Sequence, residues 1–412
     1  MNNSRSFVFM GYDSYLEKGQ ILFHYQIRGD RNIDFTEKIY FLPVASEVPP
    51  ALLKSIIDNL MLILGISYWK TYCPKEIIIE SNFLDKDQAD FWNTVYTKGL
   101  GEFFYKNKID FRGLVEFPYK DIIEKNPTSF PRQDRILLGL GGGKDSIVTA
   151  ELLKSQNKDF DLFMVGASQI QEDVAEVIGK KPIVFKRELD SKLFDLNRER
   201  GTYNGHIPIS VIYAFLGLFG AILYDYGLVV VGNEKSANYG NVEYLGQVIN
   251  HQWSKSEEFE KLFEDYVKKF ITFDVSYSSI LRNMTELEAM REFVKYPKYF
   301  KVFSSCNRNF KILKQVQDDK SIWCAKCAKC LFVFTMLSAF LLKKEVLSIF
   351  GKNLFEDKTL LKIFKELLGL ENFKPFECVG TPEEVKSALK KVLEKGEFKD
   401  TFLVEFYAKV KN

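Results

Sequence analysis

The chain has 412 residues, with 57 Lys and Arg against 55 Asp and Glu, for a formal charge of +2. That length suits two or three domains, and so even a charge balance gives no reason to expect nucleic acid as a partner. Hydrophobic residues at 46% and charged residues at 27% make an ordinary globular composition with ample material for a core.

The opening MNNSRSFVFMGYDS has no basic segment followed by an apolar run, so no signal peptide is expected. Residues 7–43 alternate apolar and polar positions around Gly and Asp turns, which predicts short antiparallel strands. His24 lies within that alternation and is expected to be structural. Residues 51–65 have helical spacing, EIIIES at 76–81 reads as a strand, and 86–106 read as helical. A mixed connector then ends in NPTSFPRQD, whose Pro and polar residues mark a boundary. Residues 1–130 are thus expected to form an N-terminal α+β domain that helps to bind substrate.

From residue 135 the pattern changes. RILLGL, DLFMVGA at 161–167, PIVFKRE at 182–188 and the segment at 228–232 read as strands, with helices at 146–156 and 171–179 between them. Strands alternating with helices predict an α/β fold with a doubly wound parallel sheet. The longest apolar stretch, residues 207–224, approaches the length of a membrane span. Its early Pro and the strand that follows at once favour a helix buried beside the sheet, so no membrane partner and a cytoplasmic location are expected. Further helices are expected at 257–272 and 285–298. The tail is mostly helical, with TPEEVKSALKKVLEKG a capped amphipathic helix. The α/β domain is placed at 131–335 and a helical C-terminal region at 336–412.

The segment LLGLGGGKDSIVTAELL, 137–153, joins the first α/β strand to its helix through three glycines. Such a turn points backbone N–H groups at an anion, with the helix dipole behind them. Leu138 and Asp145 break the Walker A pattern, and the G-x-G-x-x-G spacing is not clean. A carboxylate beside phosphates points to a bridging Mg²⁺ or an orienting role. GLGGGKDS resembles the pyrophosphate loop, S-G-G-x-D-S, of the PP-loop ATP pyrophosphatases (adenine nucleotide alpha-hydrolase type), with Gly141 where Ser is usual. The resemblance implies ATP binding by Gly141, Gly142, Gly143, Lys144, Asp145 and Ser146. It places adenine along the end of the second strand, at Val165, Gly166 and Ser168.

Of six cysteines, Cys324, Cys327 and Cys330 form C-x2-C-x2-C, and Cys306 lies upstream. Four thiolates suit a tetrahedral structural Zn²⁺, with an Fe–S cluster or free thiols as alternatives. Disulfides are not expected in a cytoplasmic chain. Cys73 and Cys378 stand alone and are expected to be buried rather than reactive.

Two polar runs, 229–241 and 248–260, fall where strand ends should meet a ligand. Asn233, Glu234, Ser236, Asn238, Asn250, His251, Gln252, Ser254 and Lys255 are candidate ligand contacts. His206 is a candidate second base or a turn residue.

The motifs GGGKDS, GNEKSAN, NHQWSKS and CAKCAKC, in this order, resemble the MurL family of UDP-N-acetylmuramoyl-L-alanyl-L-glutamate epimerases. The resemblance implies a small-molecule UDP-sugar dipeptide substrate, ATP with Mg²⁺, and inversion of the terminal L-Glu through an acyl adenylate. His251 is the expected base, with Lys255, Lys144 and Asp145 in supporting catalytic roles. Lys235, Lys255, His206 and a Tyr remain candidate bases. The alternative is another PP-loop adenylating enzyme, acting on a nucleobase or tRNA as in deazaguanine synthesis or thiolation.

Overall fold

The computed structural model describes residues 5–44, 47–121, 127–306, 308, 322–371 and 373–410. The alternation near the N-terminus becomes three strands, β1 (Ser6–Tyr15), β2 (Gln20–Arg28) and β3 (Ile33–Tyr40). They pair antiparallel in sequence order. Ile21, Phe23, Tyr25 and Ile27 turn inward at every second position of β2, because only one face of the ribbon is covered. The helix α1 (Pro50–Trp69) covers it, and the Tyr25 hydroxyl donates to the Met61 carbonyl at 3.0 Å. Strand β4 (Glu76–Ile79) then pairs parallel to β1. The predicted helix over 86–106 is two helices, α2 (Lys86–Gly99) and α3 (Gly101–Asn107).

The α/β portion follows the predicted alternation: β5 (Ile136–Gly139), α4 (Lys144–Ser155), β6 (Phe160–Val165), α5 (Gln169–Ile178), β7 (Ile183–Glu188), the short α6 (Lys192–Leu196), α7 (Ile209–Tyr224) and β8 (Leu228–Val231). The apolar α7 is buried and packs on α1, β5 and β8. By length and composition α1 too could cross a membrane, yet 78% of its apolar window is buried inside the fold. The polar segment after β8 contains a hairpin, β9 (Val242–Tyr244) and β10 (Gln247–Ile249). Leu245 and Gly246 at its tip have φ of 50° and 78°, as a two-residue hairpin turn requires. Helix α8 (Glu257–Phe270), strand β11 (Ser276–Ser279) and helix α9 (Glu286–Phe293) follow.

The strands make one nine-stranded sheet in the order β11-β8-β5-β6-β7-β3-β2-β1-β4. The five α/β strands are parallel, and β3 joins β7 antiparallel, so the sheet runs straight across the expected boundary near residue 130. One ion pair sits at that seam. Arg187 Nε donates to Glu37 Oε1 at 2.5 Å, its Nη2 donates to Ser67 Oγ at 2.7 Å, and Glu37 is fully buried.

The C-terminal region is helical: α10 (Ala328–Ser338), α11 (Lys343–Phe350), α12 (Leu361–Leu367), α13 (Pro382–Lys395) and α14 (Phe402–Val410). Thr381 and Glu384 close the expected capping box on α13. Helix α10 is buried along its whole length against α9, α11, α12 and α13, which attaches this region to the α4 side of the sheet.

Removing one partner of a buried ion pair leaves the other charge unpaired. Arg187→Ala is therefore expected to cost about 3–5 kcal/mol of unfolding free energy, measured by urea denaturation, and to loosen the β3–β7 seam in hydrogen exchange.

Candidate active site

The glycine turn lies at the carboxyl end of β5, in the middle of the parallel strands. Gly142 has φ +81°, and a Cβ there would come within 2.9 Å of Ile170. The Gly142 carbonyl accepts from Ser304 N at 3.1 Å, and the Leu140 carbonyl accepts from Gln171 Nε2 at 2.9 Å. The turn is thus clamped from behind on two sides. Around Gly141 no atom lies within 4 Å of where a Cβ would be, so this face of the loop is open. Ser146 Oγ donates to the Gly143 carbonyl at 3.1 Å. At the end of β6, Gly166 N donates to Phe185 O at 2.7 Å, and Ser168 is engaged as the N-cap of α5 with Gln171.

Lys144 does not present its ammonium to the open face. It is 2% exposed and ion-paired with Asp145 and, at 2.5 Å, with Glu286 Oε2. Burial disfavours its charge, but Asp145, Glu286 and Glu234 outweigh this and raise its pKa. Burial also works against the Asp145 carboxylate, yet Lys144, Lys329 and Lys255 hold its pKa below the ordinary value. Glu234 is the group left over: burial, then Glu286 and Asp145, push its pKa up to about 8. Thr149 Oγ1 donates to Asp145 O, and Gly232, at the end of β8, packs so close that a Cβ would lie 2.7 Å from that carbonyl.

Next to these charges lies a chain of polar contacts that the sequence did not disclose. His251 Nδ1 meets Glu102 Oε2 in a short contact, and His251 Nε2 faces Cys378 Sγ at 3.9 Å. His206 Nδ1 is 3.3 Å from the same Glu102 oxygen, and the two imidazole rings lie 4.6 Å apart. Lys255 Nζ is 3.6 Å from Cys378 Sγ. Cys378 is therefore not isolated, as its lone place in the sequence suggested. Burial opposes the charge on His251, but Cys378 and Glu102 raise its pKa to about 9. Burial and the neighbouring His251 lower the pKa of His206 to about 3. Lys374, on the same loop as Cys378, is buried, and its Nζ has no hydrogen-bond partner among the described residues.

Other expected contacts bond the surrounding framework, and two of them, Asn238 and Asn250, also line a cleft. Asn233 N and O bond Ser279 Oγ, Ser236 Oγ donates to Glu384 at 2.6 Å, and Asn238 Oδ1 accepts from Glu257 N at 2.8 Å. Asn250 Nδ2 donates to Ala237 O, and Gln252 Nε2 donates to Val379 O. Ser254 is buried in the short turn that carries Lys255. The structure draws Lys144, Asp145, Glu234, His251 and Lys255 into one buried cluster and adds Glu102, His206, Glu286, Lys329, Lys374 and Cys378. A cleft of about 760 Å³ lies between α2, the β9–β10 hairpin and the start of α8, lined by the chain neighbours Gly101, Asn250 and Ser256 of Glu102, His251 and Lys255 rather than by those residues themselves.

Cys306, Cys324, Cys327 and Cys330 have their sulfurs within 4.8 Å of one another, with Cys327–Cys330 at 3.5 Å and Cys324–Cys330 at 3.7 Å. A tetrahedron with metal–sulfur bonds of about 2.3 Å has edges of roughly 3.8 Å, so the four thiols fit a single ion. Ser304, which holds Gly142, accepts from Cys306 N at 3.2 Å and donates to Ile322 O.

A glycine-rich turn at the carboxyl end of the central parallel strand, beside buried acid–base groups, defines an α/β protein with its site where open parallel sheets bind their ligands. Within that class the chain belongs to the MurL family: the MurL N-terminal domain model matches residues 1–280, and the MurL C-terminal domain model matches residues 302–412. A relative from Xanthomonas oryzae pv. oryzae (strain MAFF 311018), UDP-N-acetyl-alpha-D-muramoyl-L-alanyl-L-glutamate epimerase, is 38% identical across 84% of this chain and 76% of its own. A relative of the same name from Micromonospora sp. is 35% identical across 97% of this chain and 89% of its own. Among solved structures, the U34-tRNA thiolase NcsA from Methanococcus maripaludis shares only a faint likeness, with 15% identity over 54% of this chain and 82% of that one at a TM-score of 0.26.

The raised Glu234 pKa has a sign that stability can report. Folding favours the protonated carboxyl, so this contribution is present below about 4.5 and is lost as pH rises through about 8. Glu234→Gln should remove that part of the slope, so that its stability relative to the parent rises with pH across this window in urea unfolding.

Proposed function

We propose that this chain inverts the α-carbon of the terminal L-Glu in UDP-MurNAc-L-Ala-L-Glu after ATP-dependent activation of a glutamate carboxyl. The observation that carries this reading is the MurL family match over both parts of the chain, together with an anion loop beside buried acid–base groups. The chemistry needs both. Removing an α-proton beside a free carboxylate would put a second negative charge on an anion. Adenylation cancels the first charge and makes the α-proton acidic, after which a side-chain base can take it. Hydrolysis of the adenylate then makes the overall change effectively one-way.

In this reading the backbone of Gly141–Gly143 and the start of α4 hold the phosphates of ATP. Asp145 would hold Mg²⁺, which would neutralise phosphate charge. Lys144 keeps the Asp145 and Glu286 carboxylates in place, and Lys255 supplies positive charge near the reacting acyl group. Cys306, Cys324, Cys327 and Cys330 would hold one Zn²⁺. Four thiolates close its coordination, so its part is to pin Ser304 and through it Gly142. The cleft beside α2 and α3, whose wall carries Lys98 paired with Glu258 and Lys261 paired with Glu257, is our candidate for the UDP-sugar end of the substrate. That gives residues 1–130 their binding role. A nucleotide-sugar substrate fits a cytoplasmic enzyme.

Two experiments test the reading. With ATP, Mg²⁺ and UDP-MurNAc-L-Ala-L-Glu, the protein should release pyrophosphate and yield product containing D-Glu by chiral analysis. Asp145→Asn should lower pyrophosphate release by about 10²–10³-fold. Pyrophosphate release that ignores this substrate would turn the reading toward nucleobase or tRNA substrates. For the metal, elemental analysis should find about one zinc per chain without visible absorption, and Cys327→Ser should lose the zinc and loosen the 304–306 segment in hydrogen exchange.

A further inference from the structure

We propose that Glu102, His251 and Cys378 act as one carboxylate–imidazole–thiolate triad, in which Cys378 Sγ exchanges the α-proton on one face of the activated glutamate. The inference rests on the epimerase reading above and deepens it.

The order of contacts carries the argument. Glu102 accepts from His251 Nδ1, which fixes the ring so that Nε2 points at Cys378 Sγ, 3.9 Å away. This is the arrangement that turns a thiol into a thiolate: a base beside the sulfur and a third group orienting the base. His251 has both ring nitrogens engaged, so the outermost atom of the triad is sulfur. His251 is thereby a positioning and charge-balancing group rather than the base expected from the sequence.

A second observation suits an anion next to that sulfur. Lys374 Nζ is buried over the Tyr239 ring, 5.4 Å from its centre, with no hydrogen-bond partner among the described residues, four positions from Cys378. Burial brings its pKa down to about 8, and a carboxylate or phosphoryl group of the substrate would supply the hydrogen-bonding counter-charge that the ring cannot. Lys255, 3.6 Å from the sulfur, also faces Asp145 and Glu234 and so bridges the thiol to the phosphate loop. The groups acting on Cys378 are Lys255, His251 and Lys329, with Lys374 on its own loop. Burial alone would push the thiol up, but these cations bring it down to about 6.

The step balances without further reagents. The Cα–H bond breaks, an S–H bond forms on Cys378, and the electron pair moves onto the acyl oxygen as an enolate. The enolate electron pair then returns to Cα to take a solvent-derived proton on the opposite face, which forms the inverted centre, and Cys378 loses its acquired proton to solvent to restore the thiolate.

The test separates activation from proton exchange. In D₂O with ATP, Mg²⁺ and UDP-MurNAc-L-Ala-L-Glu, Cys378→Ser should keep substrate-dependent pyrophosphate release within about threefold of the parent. Its deuterium incorporation at the glutamate α-carbon should fall by about 10³-fold. Glu102, His206 and His251 also stand close enough together to hold a metal ion, so Glu102→Gln should slow exchange and shift its pH profile while leaving the metal content unchanged. Without activity, iodoacetamide should label Cys378 as a thiolate already near pH 7, seen by peptide mass spectrometry, and His251→Gln should move that labelling to higher pH. Four results would overturn the proposal: undiminished exchange in Cys378→Ser, an equal loss of pyrophosphate release and exchange, a substrate adduct trapped on Cys378, or loss of a bound metal in Glu102→Gln. If the parent protein releases no pyrophosphate with this substrate, the epimerase reading itself fails, and the labelling experiment still judges the triad.

Discussion

A buried ammonium holds the site together. Lys144 has almost no contact with water, and its charge is balanced by carboxylates from its neighbour Asp145 and from Glu286 at the start of α9. Charges taken out of water must be met by opposite charges or they are not tolerated. This requirement fixes where α9 stands relative to the phosphate loop. Lys329, at the start of α10, lies 3.9 Å from the other Glu286 oxygen, so the same constraint carries on into the helical C-terminal region. Glu234 is pressed into the same field and stays protonated as a result. Lys144 pairs directly with Asp145, whereas Glu234 feels it only at longer range beside two carboxylates, which sets Asp145 and Glu234 to different protonation states.

The cysteine cluster belongs to the same logic at one remove. Its four sulfurs converge from two chain segments, and Ser304, two residues before the first of them, bonds the glycine turn. A turn built from three successive glycines cannot rely on them for rigidity, since they cost the most entropy to order. Fixing the segment behind it supplies the stiffness that the glycines lack.

Much of the fold was legible because it is local. The alternation in β2 reports a one-sided strand, and the strand–glycine–helix run of 136–155 reports its own turn. The order of four motifs also sufficed to name the family. The join between β3 and β7 was not legible: its partners, Glu37 and Arg187, stand 150 residues apart, and neither strand's pattern names a neighbour. Cys378 was missed for the same reason. In the sequence it is a single cysteine in PFECVG, while its companions His251 and Glu102 are 127 and 276 positions away. Glu102 itself reads as an unremarkable polar residue in an aromatic helix, and only burial beside two imidazoles distinguishes it. Lys144 was legible as part of the loop but not in its direction, because its partner Glu286 looks in the sequence like a helix-capping acid.

The order in which the site's pieces occur along the chain has a consequence for synthesis. The phosphate loop is translated early, at 141–146, whereas Lys374 and Cys378 come some 230 residues later, and α13 and α14 must follow to wall in their loop. A partly made chain on the ribosome can fold the sheet as far as β8, but it lacks Glu286, the cysteine pins and the thiol. The glycine turn and its sheet can therefore be in place before the C-terminal region supplies the last members of the charged cluster around them.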